Sequence, residues 1–427
     1  MSFHLFSLSR AGSVVVLLLL IASGSSAQQT AAPPGIPTQL TLDLATEILL
    51  ARNPTIQRER QNISIARAGV AEARLRPNPD LDVASESYPL FAPHPGPYFQ
   101  GSETALRVGQ PIETAGKRRK RTQVAEGDVT VVQSLLQDTI RQLRLELRTR
   151  YYRVILAKAD YELAGEVLSQ FDEIIRLNEV RFQRGELSGL DLARVQTERF
   201  RFFSDQVAAE VEVKNSKTAL LELLGTADLS AAFDVTEGLA FEPLSPGTEN
   251  FEQEALAQRA DLLARREQVE REQRGLTLEK ANAIPDVIPF FGYKRDFQTN
   301  TLAFGVNMSL PIFNRNQGGI ARASARIEQA DFERQRAELA VRSEVRQAFD
   351  VVQGEERRVR ELESTSVPKA KQARDIAQAA YRLGSLDLIG FLDAERAYRE
   401  TLLGYNHALF KHQVAVFLLE ASVGKEQ

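Results

Sequence analysis

Two stretches of this chain repeat one another at a distance that leaves few folds open. RFQRGELSGLDLARVQTERF occupies residues 181–200, and YRLGSLDLIGFLDAERAY occupies residues 381–398. Each places a Gly behind a long helical pattern, then a short Leu/Ser/Asp segment, then a second helical pattern. The echo extends in both directions. PNPDLDVASESY (77–88) answers to AIPDVIPFFGY (283–293), and LRVGQPI (106–112) to VNMSLPI (306–312). The offset is 206 at the Pro-Asp, 200 at the Pro-Ile and 199 at the Gly of the turn. Landmarks so evenly displaced identify an internal duplication: helices, strand, strand, long helix, turn, helix, written twice.

Within each copy the hydrophobic period changes. Leu302, Phe304, Val306, Met308 and Leu310 alternate with Ala303, Gly305, Asn307 and Ser309, the period of a strand with one apolar face. Leu106 and Val108 do the same in the first copy, with Arg107 and Gly109 opposite. Strands are expected at about 79–90, 102–112, 286–297 and 300–312. At 11–13 residues each they are long enough for the ~9–11 that cross a bilayer at a barrel's tilt. Pro111 and Pro311 should end their ladders. From 114 to 184 there is no Pro, and Leu136, Ile140, Leu143, Leu147, Tyr151, Val154, Ala157, Tyr161, Ala164, Leu168, Phe171 and Ile175 recur at threes and fours. This is a coiled-coil seam, on a rod of roughly 105 Å at 1.5 Å per residue. The second rod, about 316–384, contains Pro368, which predicts a kink or break beside ESTSVPKA.

Residues 1–27 are a different material. Arg10 is their only charged residue, an apolar run spans 14–21, and Ser25 and Ala27 fit a secretory cleavage site, so 1–27 reads as a signal peptide. The first repeat then covers 28–226, with its turn at 184–189. A turn-rich connecting segment covers 227–250, and the second repeat 251–427, with its turn at 383–388. No run of ~20 apolar residues follows the signal. At 26 % charged residues and a net charge of -4 the chain is neither disordered nor a nucleic-acid binder. It has no Cys, hence no disulfide and no lipid-anchor thiol, and only three His after the signal: His94, His407 and His412. No nucleophile elbow, phosphate loop or ligand-spaced His pair is present, so no catalytic residue, cofactor or metal site is expected.

Four strands cannot close a barrel, and an open edge in hydrocarbon leaves N–H and C=O groups unpaired. Single-chain barrels begin at eight strands. Copies must therefore pool their strands. Three copies supply twelve strands and a ring of rods, with the turns at Gly185 and Gly384 gathered at the far rim, two per protomer.

This layout resembles the TolC family of outer-membrane efflux ducts across nearly the whole chain after the signal. GQPIETAGKRRKR (109–121), SLPIFNRNQGGIA (309–321) and the second turn are most similar to its heavy-metal, cobalt–zinc–cadmium resistance (CzcC-like) branch. The resemblance implies a mainly α fold with a membrane β-barrel part. It has two repeats of strand pair plus coiled-coil hairpin, four strands per chain and a twelve-stranded barrel as a homotrimer in the outer membrane of a Gram-negative bacterium. It implies a periplasmic adaptor (membrane fusion) protein and a proton-driven inner-membrane RND pump as partners, outer-membrane lipid as surroundings, no nucleic acid, and export of divalent heavy-metal cations. A duct for drugs or small organic compounds is the alternative, and a pore-less periplasmic coiled-coil adaptor a more distant one. Many relatives carry a lipidated Cys after the signal; this chain does not. Relatives with an acidic ring often place Asp where Gly390 stands.

Gate and selectivity candidates at the rim are Asp387, Asp393, Glu186 and Asp191, with Arg382 and Arg396 as their partners; the carboxylates are expected within the first turns of the helices that follow each turn, where the helix dipole favours them. Candidate adaptor-docking positions are Gly185, Leu187, Ser188, Gly384, Ser385 and Leu386, because Leu recurs on both turns. Lipid-facing candidates are Leu106, Val108, Leu302, Phe304, Val306, Met308 and Leu310. KRRKR (117–121) reads as a solvated or headgroup-facing collar, and NRNQGG (314–319) as a strand-to-helix connection whose Gly residues answer a backbone need.

Overall fold

In a computed structural model of the chain, the residues described are 36–87, 91, 102–244, 250–296 and 299–425. The signal-peptide reading of 1–27 lies outside them, as does most of the loop between the first two strands.

The first repeat opens with β1 (Gln39–Leu40), α1 (Leu42–Arg52) and α2 (Pro54–Arg74), continues through β2 (Asp80–Glu86) and β3 (Glu103–Gly109), and then runs into α3 (Lys117–Gln183) and α4 (Gly189–Leu223). The connecting segment contains β4 (Asp234–Val235). The second repeat gives α5 (Phe251–Gln258), α6 (Ala260–Asn282), β5 (Val287–Asp296), β6 (Thr299–Met308), α7 (Gln317–Glu361), a π-helical turn (Leu362–Ser366), α8 (Val367–Arg382) and α9 (Leu388–Val423).

The 67 residues of α3 make a rod of about 100 Å. Of its expected seam, Leu136, Leu147, Tyr151, Val154, Ala157, Leu168, Phe171 and Ile175 are buried, whereas Tyr161 is exposed. The second rod is not broken at Pro368. Glu361, Ser366 and Val367 keep right-handed helical dihedrals. A single π turn lets the Val367 N–H reach back five residues to the Leu362 carbonyl. Widening the helix there accommodates a residue that has no N–H to donate and would crowd the carbonyl four residues back, so the rod runs on.

The duplication is visible in the caps. Gly185 (φ 73°) and Gly384 (φ 75°) end the outgoing helices in the left-handed region. Each sits in the same closure: Glu186 N donates to Arg181 O at 2.9 Å, and Ser385 N to Ala380 O at 2.9 Å. Gly225 (φ 72°) and Gly424 (φ 84°) repeat this where the returning helices end. There the short helix pairs break against them. Asn53, between α1 and α2, caps Thr55 and Ile56 and donates its Nδ2 to Leu223 O at 2.8 Å. Arg259, between α5 and α6, reaches Ser422 O at 3.4 Å. Leu223 and Ser422 are 199 residues apart, the offset of the glycines.

β2, β3, β5 and β6 form one antiparallel sheet in that order. β2 and β3 have seven residues each, shorter than the sequence suggested; β5 and β6 have ten. Pro111 does not end its ladder, because Ile112 still bridges Val287. Residues 309–312, expected to be strand, lie beyond β6. A two-stranded parallel sheet, β1 with β4, was not foreseen: two residues carry too little pattern to read. It completes the larger core, where Leu40, Ile48, Leu49, Ile56, Leu147, Tyr151, Leu220, Leu224 and Val235 meet.

Candidate functional site

Two places lack what a finished structure needs, the open sheet and the hairpin tips. Among the described residues, the outer edges of β2 and β6 pair with nothing. The sheet is also two-faced. Leu81, Val83, Leu106, Val108, Phe291, Tyr293, Leu302, Phe304, Val306 and Met308 are all exposed and, by strand alternation and register, share one side. Phe304, at 84 % exposure, has almost no cover. Asp82, Glu86, Arg107, Lys294 and Asn307 occupy the other side. An apolar face this broad beside two bare ladder edges is not stable in water. Leu310 and Ile312, just past β6, are exposed as well.

At the foot of the sheet the basic run divides, which corrects the reading of all of it as a solvated collar. Lys117 is buried and its Nζ lies 2.6 Å from Asp286 Oδ1, which also accepts from the Thr114 N–H at 2.9 Å. Burial raises the Asp286 pKa, but the Lys117 ammonium and the Thr114 donors outweigh it and hold the carboxyl below its ordinary value. Arg121 is fixed by Glu113 and by the Ala73 and Leu75 carbonyls. Among the described residues, the side chains of Arg118, Arg119 and Lys120 have no partner; the first two are exposed and Lys120 is half-buried. In the corresponding loop of the second repeat Asn316 (φ 57°) donates Nδ2 to Glu279. A Cβ on Gly319 would fall 2.2 Å from Asn316 Oδ1 and 2.7 Å from Glu279 Oε2, so a larger residue there would displace that pair of side chains.

At the tips, Val167, Leu168, Phe171, Ile174 and Ile175 of α3, Val195 and Phe202 of α4, Tyr381 of α8, and Leu388, Phe391 and Leu392 of α9 form one core joining the two hairpins. Tyr381 stacks on Phe391 at 5.1 Å and donates its hydroxyl to buried Asn178 at 2.6 Å. Arg181 ties the first hairpin to the second turn through the Tyr381 and Arg382 carbonyls, at 3.3 and 2.7 Å.

The rim residues do not all stand where the sequence put them. Asp387 is the N-cap of α9, its Oδ1 accepting from the Gly390 N–H at 2.9 Å, and not a first-turn residue. Asp393 lies in the second turn, exposed. Asp191 is in the first turn of α4, under Ser188, whose Oγ accepts from the Asp191 N–H at 3.1 Å; Glu186 belongs to the turn itself. Arg396 approaches Asp393 only at 3.5 Å. Its main partner is Glu198 of the other hairpin, at 2.8 and 3.2 Å. Arg382 is held by its carbonyl, and its guanidinium meets no carboxylate among the described residues. Leu187 and Leu386 are half-buried, and Leu386 packs on the tip core. The most exposed apolar residues there are Leu190, Leu383 and Ile389, which the repeat does not mark. A further uncovered stripe, Phe200, Phe203, Val207 and Val211, runs up α4 at coiled-coil spacing.

One titratable group at the tip is buried and, among the described residues, has no hydrogen-bond partner. Glu395 of α9 sits among Val167, Phe171, Ile174 and Phe391. Burial pushes its carboxyl pKa up, against the lowering pull of Arg374. A folded value above the unfolded one means stability is greatest below the unfolded value and falls as pH rises through the folded one. Glu395→Gln should therefore raise the melting temperature at neutral pH. The gain should vanish near pH 4. A melting curve shifted equally at both pH values contradicts this.

Among the described residues no helix is long and apolar enough to cross a membrane, and no group of three His, Cys, Asp or Glu could hold a metal ion.

The family model described as outer membrane efflux protein matches residues 45–226 and 252–425. The cobalt-zinc-cadmium resistance protein CzcC of Cupriavidus metallidurans is 24 % identical over 389 residues, 90 % of each chain. The nickel-cobalt-cadmium resistance protein NccC of Alcaligenes xylosoxydans xylosoxydans is 28 % identical over 70 % of this chain and 68 % of its own. Among solved structures, CusC superposes with a TM-score of 0.75 at 17 % identity, covering 90 % of this chain and 92 % of its own. A membrane protein from Pseudomonas aeruginosa gives 0.75 at 20 %, covering 90 % and 93 %.

Proposed function

The chain belongs to the outer membrane efflux protein family, and on that premise we propose that it is the outer-membrane duct of a tripartite, proton-driven efflux system that passes divalent heavy-metal cations outward. The observation that carries the reading is the four-stranded sheet with one apolar face and two bare edges, mounted on helical rods about 100 Å long. Three chains would close twelve strands in lipid, and the uncovered α4 stripe would be the seam between neighbouring rods. The duct performs no chemistry: ions cross it in water, driven by a pump that an adaptor joins to the hairpin tips. The relatives named for cobalt, zinc, cadmium and nickel resistance support the cargo. Deleting the gene should sensitise the host to these metals several-fold more than to drugs; the reverse order would assign a duct for organic compounds.

At the rim, the carboxylates of Asp387, Asp393, Glu186 and Asp191, brought together threefold, would favour cations, and Arg396 would hold the hairpins shut through Glu198. Asp387→Asn keeps the helix cap, so with Asp393→Asn it isolates charge: cation preference should fall. Arg396→Ala should raise resting conductance. Unchanged selectivity and current in planar bilayers would remove these residues from the gate. Adaptor docking would use Gly185, Ser188, Gly384 and Ser385 with exposed Leu190, Leu383 and Ile389.

A further inference from the structure

The register in which one copy of this chain joins the next can be read from the contacts inside a single copy. The two hairpins pair identically once the repeat offsets are applied, 206 for the first strand of each pair and 200 for the second. Leu81–Val108 maps onto Val287–Met308, and Glu86–Glu103 onto Gly292–Ala303; all four pairs are present. The offsets are therefore structural as well as textual.

The seam between the hairpins is also present once within the chain. Gly109 lies opposite Phe290 and Arg107 opposite Gly292. Beyond β3, Gln110 N donates to Pro289 O at 3.1 Å, while Ile112 and Val287 exchange both backbone bonds at 2.8 and 3.2 Å. A closed ring of such repeats needs the same seam again, from β6 of one copy to β2 of the next, because those are the bare edges.

Resting on the reading that copies pool their strands, we propose that β6 of one chain pairs antiparallel with β2 of a second copy in the mapped register. Ser309 lies opposite Ala84, Asn307 opposite Glu86, and Ile312 opposite Leu81. Residues 309–312 then become strand, as their alternation suggests. In the lone chain the Ile312 N–H turns back to the Leu310 carbonyl at 2.9 Å, whereas its counterpart Ile112 donates across a ladder. The faces agree. Met308, Leu310 and Ile312 fall on the same side as Leu81 and Val83, all five exposed in the single chain. The foot of the seam maps as well. Thr114 and Lys117 grip Asp286 within the chain, and their counterparts Asn314 and Gln317 reach Asp80 of the next copy. Among the described residues Asp80 has no partner of its own, and with two amides replacing a hydroxyl and an ammonium the donors of this grip carry no charge.

The absence of Cys makes the test clean. The pairs Ser309–Ala84 and Asn307–Glu86 fall at non-hydrogen-bonded positions, where opposed Cα atoms stand about 4.5 Å apart and disulfides form readily. The full-length double variants Ser309→Cys/Ala84→Cys and Asn307→Cys/Glu86→Cys are oxidised with diamide in outer-membrane vesicles and resolved without reductant. Both should give covalent dimers and closed three-chain species, at least tenfold above the single variants. The shifted pairs Asn307→Cys/Ala84→Cys and Pro311→Cys/Ala84→Cys serve as the comparison. If a shifted pair dominates, the register is overturned while the shared wall stands. If intact trimers appear on native gels but no pair cross-links, β6–β2 is not the seam. If only monomers are found, the pooled-strand reading itself falls. Should one double variant fail to reach the membrane, the other decides.

Discussion

Phe304→Arg should remove the protein from the outer membrane as an assembled species, while Asn307→Arg, three residues on and on the opposite face, leaves it there. Phe304 stands near the middle of β6 with its ring uncovered, between Leu302 and Val306 on the apolar side. Placing a guanidinium on the lipid side of a barrel costs about 2–4 kcal/mol near the bilayer centre. A closed ring of three chains pays it three times, which exceeds half the stability of an ordinary domain. Asn307, opposite Ile288, shares the other side of the sheet with Arg107 and Lys294, where water would be, and Arg there costs little. Heat-resistant oligomers in membrane fractions read the difference. Equal loss for both variants would mean that the exposed face of Leu302, Phe304, Val306 and Met308 is not what meets lipid.

Arg259→Ala should destabilise the helical body by about 3 kcal/mol, far more than its equivalent Asn53→Ala, at about 1–2 kcal/mol. Arg259 is 3 % exposed and makes a paired contact with Asp261, at 3.0 and 2.7 Å, and another with Glu344 at 2.6 Å. Its stem supports Gly424, where a Cβ would lie 3.3 Å from Arg259 Cγ. One side chain thus joins the α5–α6 break, α7 and the end of α9. Asn53 joins only two elements and carries no charge. Burial raises the Asp261 pKa, but Arg259 outweighs it and lowers the net value, so this stabilisation is present above the ordinary carboxylate range. It is lost as pH falls through the depressed value. Chemical denaturation at neutral and acid pH measures both. A loss below 1 kcal/mol, or one independent of pH, would show that packing at Gly424 and not the ion pairs holds the joint.

The duplication made most of the architecture legible. The paired rods, the glycine closures and the four strands followed from residues spaced by offsets of 199 to 206, and each has a local cause that sequence can state. What escaped was set by contacts between distant segments. β1 and β4 are two residues each and become strands only because Leu40 and Val235 meet in one core. Pro368 invited a kink or break beside ESTSVPKA; a π turn stands there, at Leu362–Ser366, and the rod continues through it. Ile112 pairs past Pro111 because Val287 lies opposite, which no local pattern records. At the tips the sequence did not show that Asp387 caps α9, nor which contacts its neighbours make. A one-residue difference in where α9 begins turns a first-turn carboxylate into a cap. Arg396 pairs with Glu198 across 198 residues, and Leu386 is drawn inward by a core supplied from four helices.

The account depends on a wall that no single copy can complete. The most direct measurement is the conductance of purified, detergent-extracted protein added to a planar bilayer, with its mass determined in the same preparation. Particles of three chains that open discrete, cation-preferring steps are the expected outcome. A monomer that leaves the bilayer silent would contradict it.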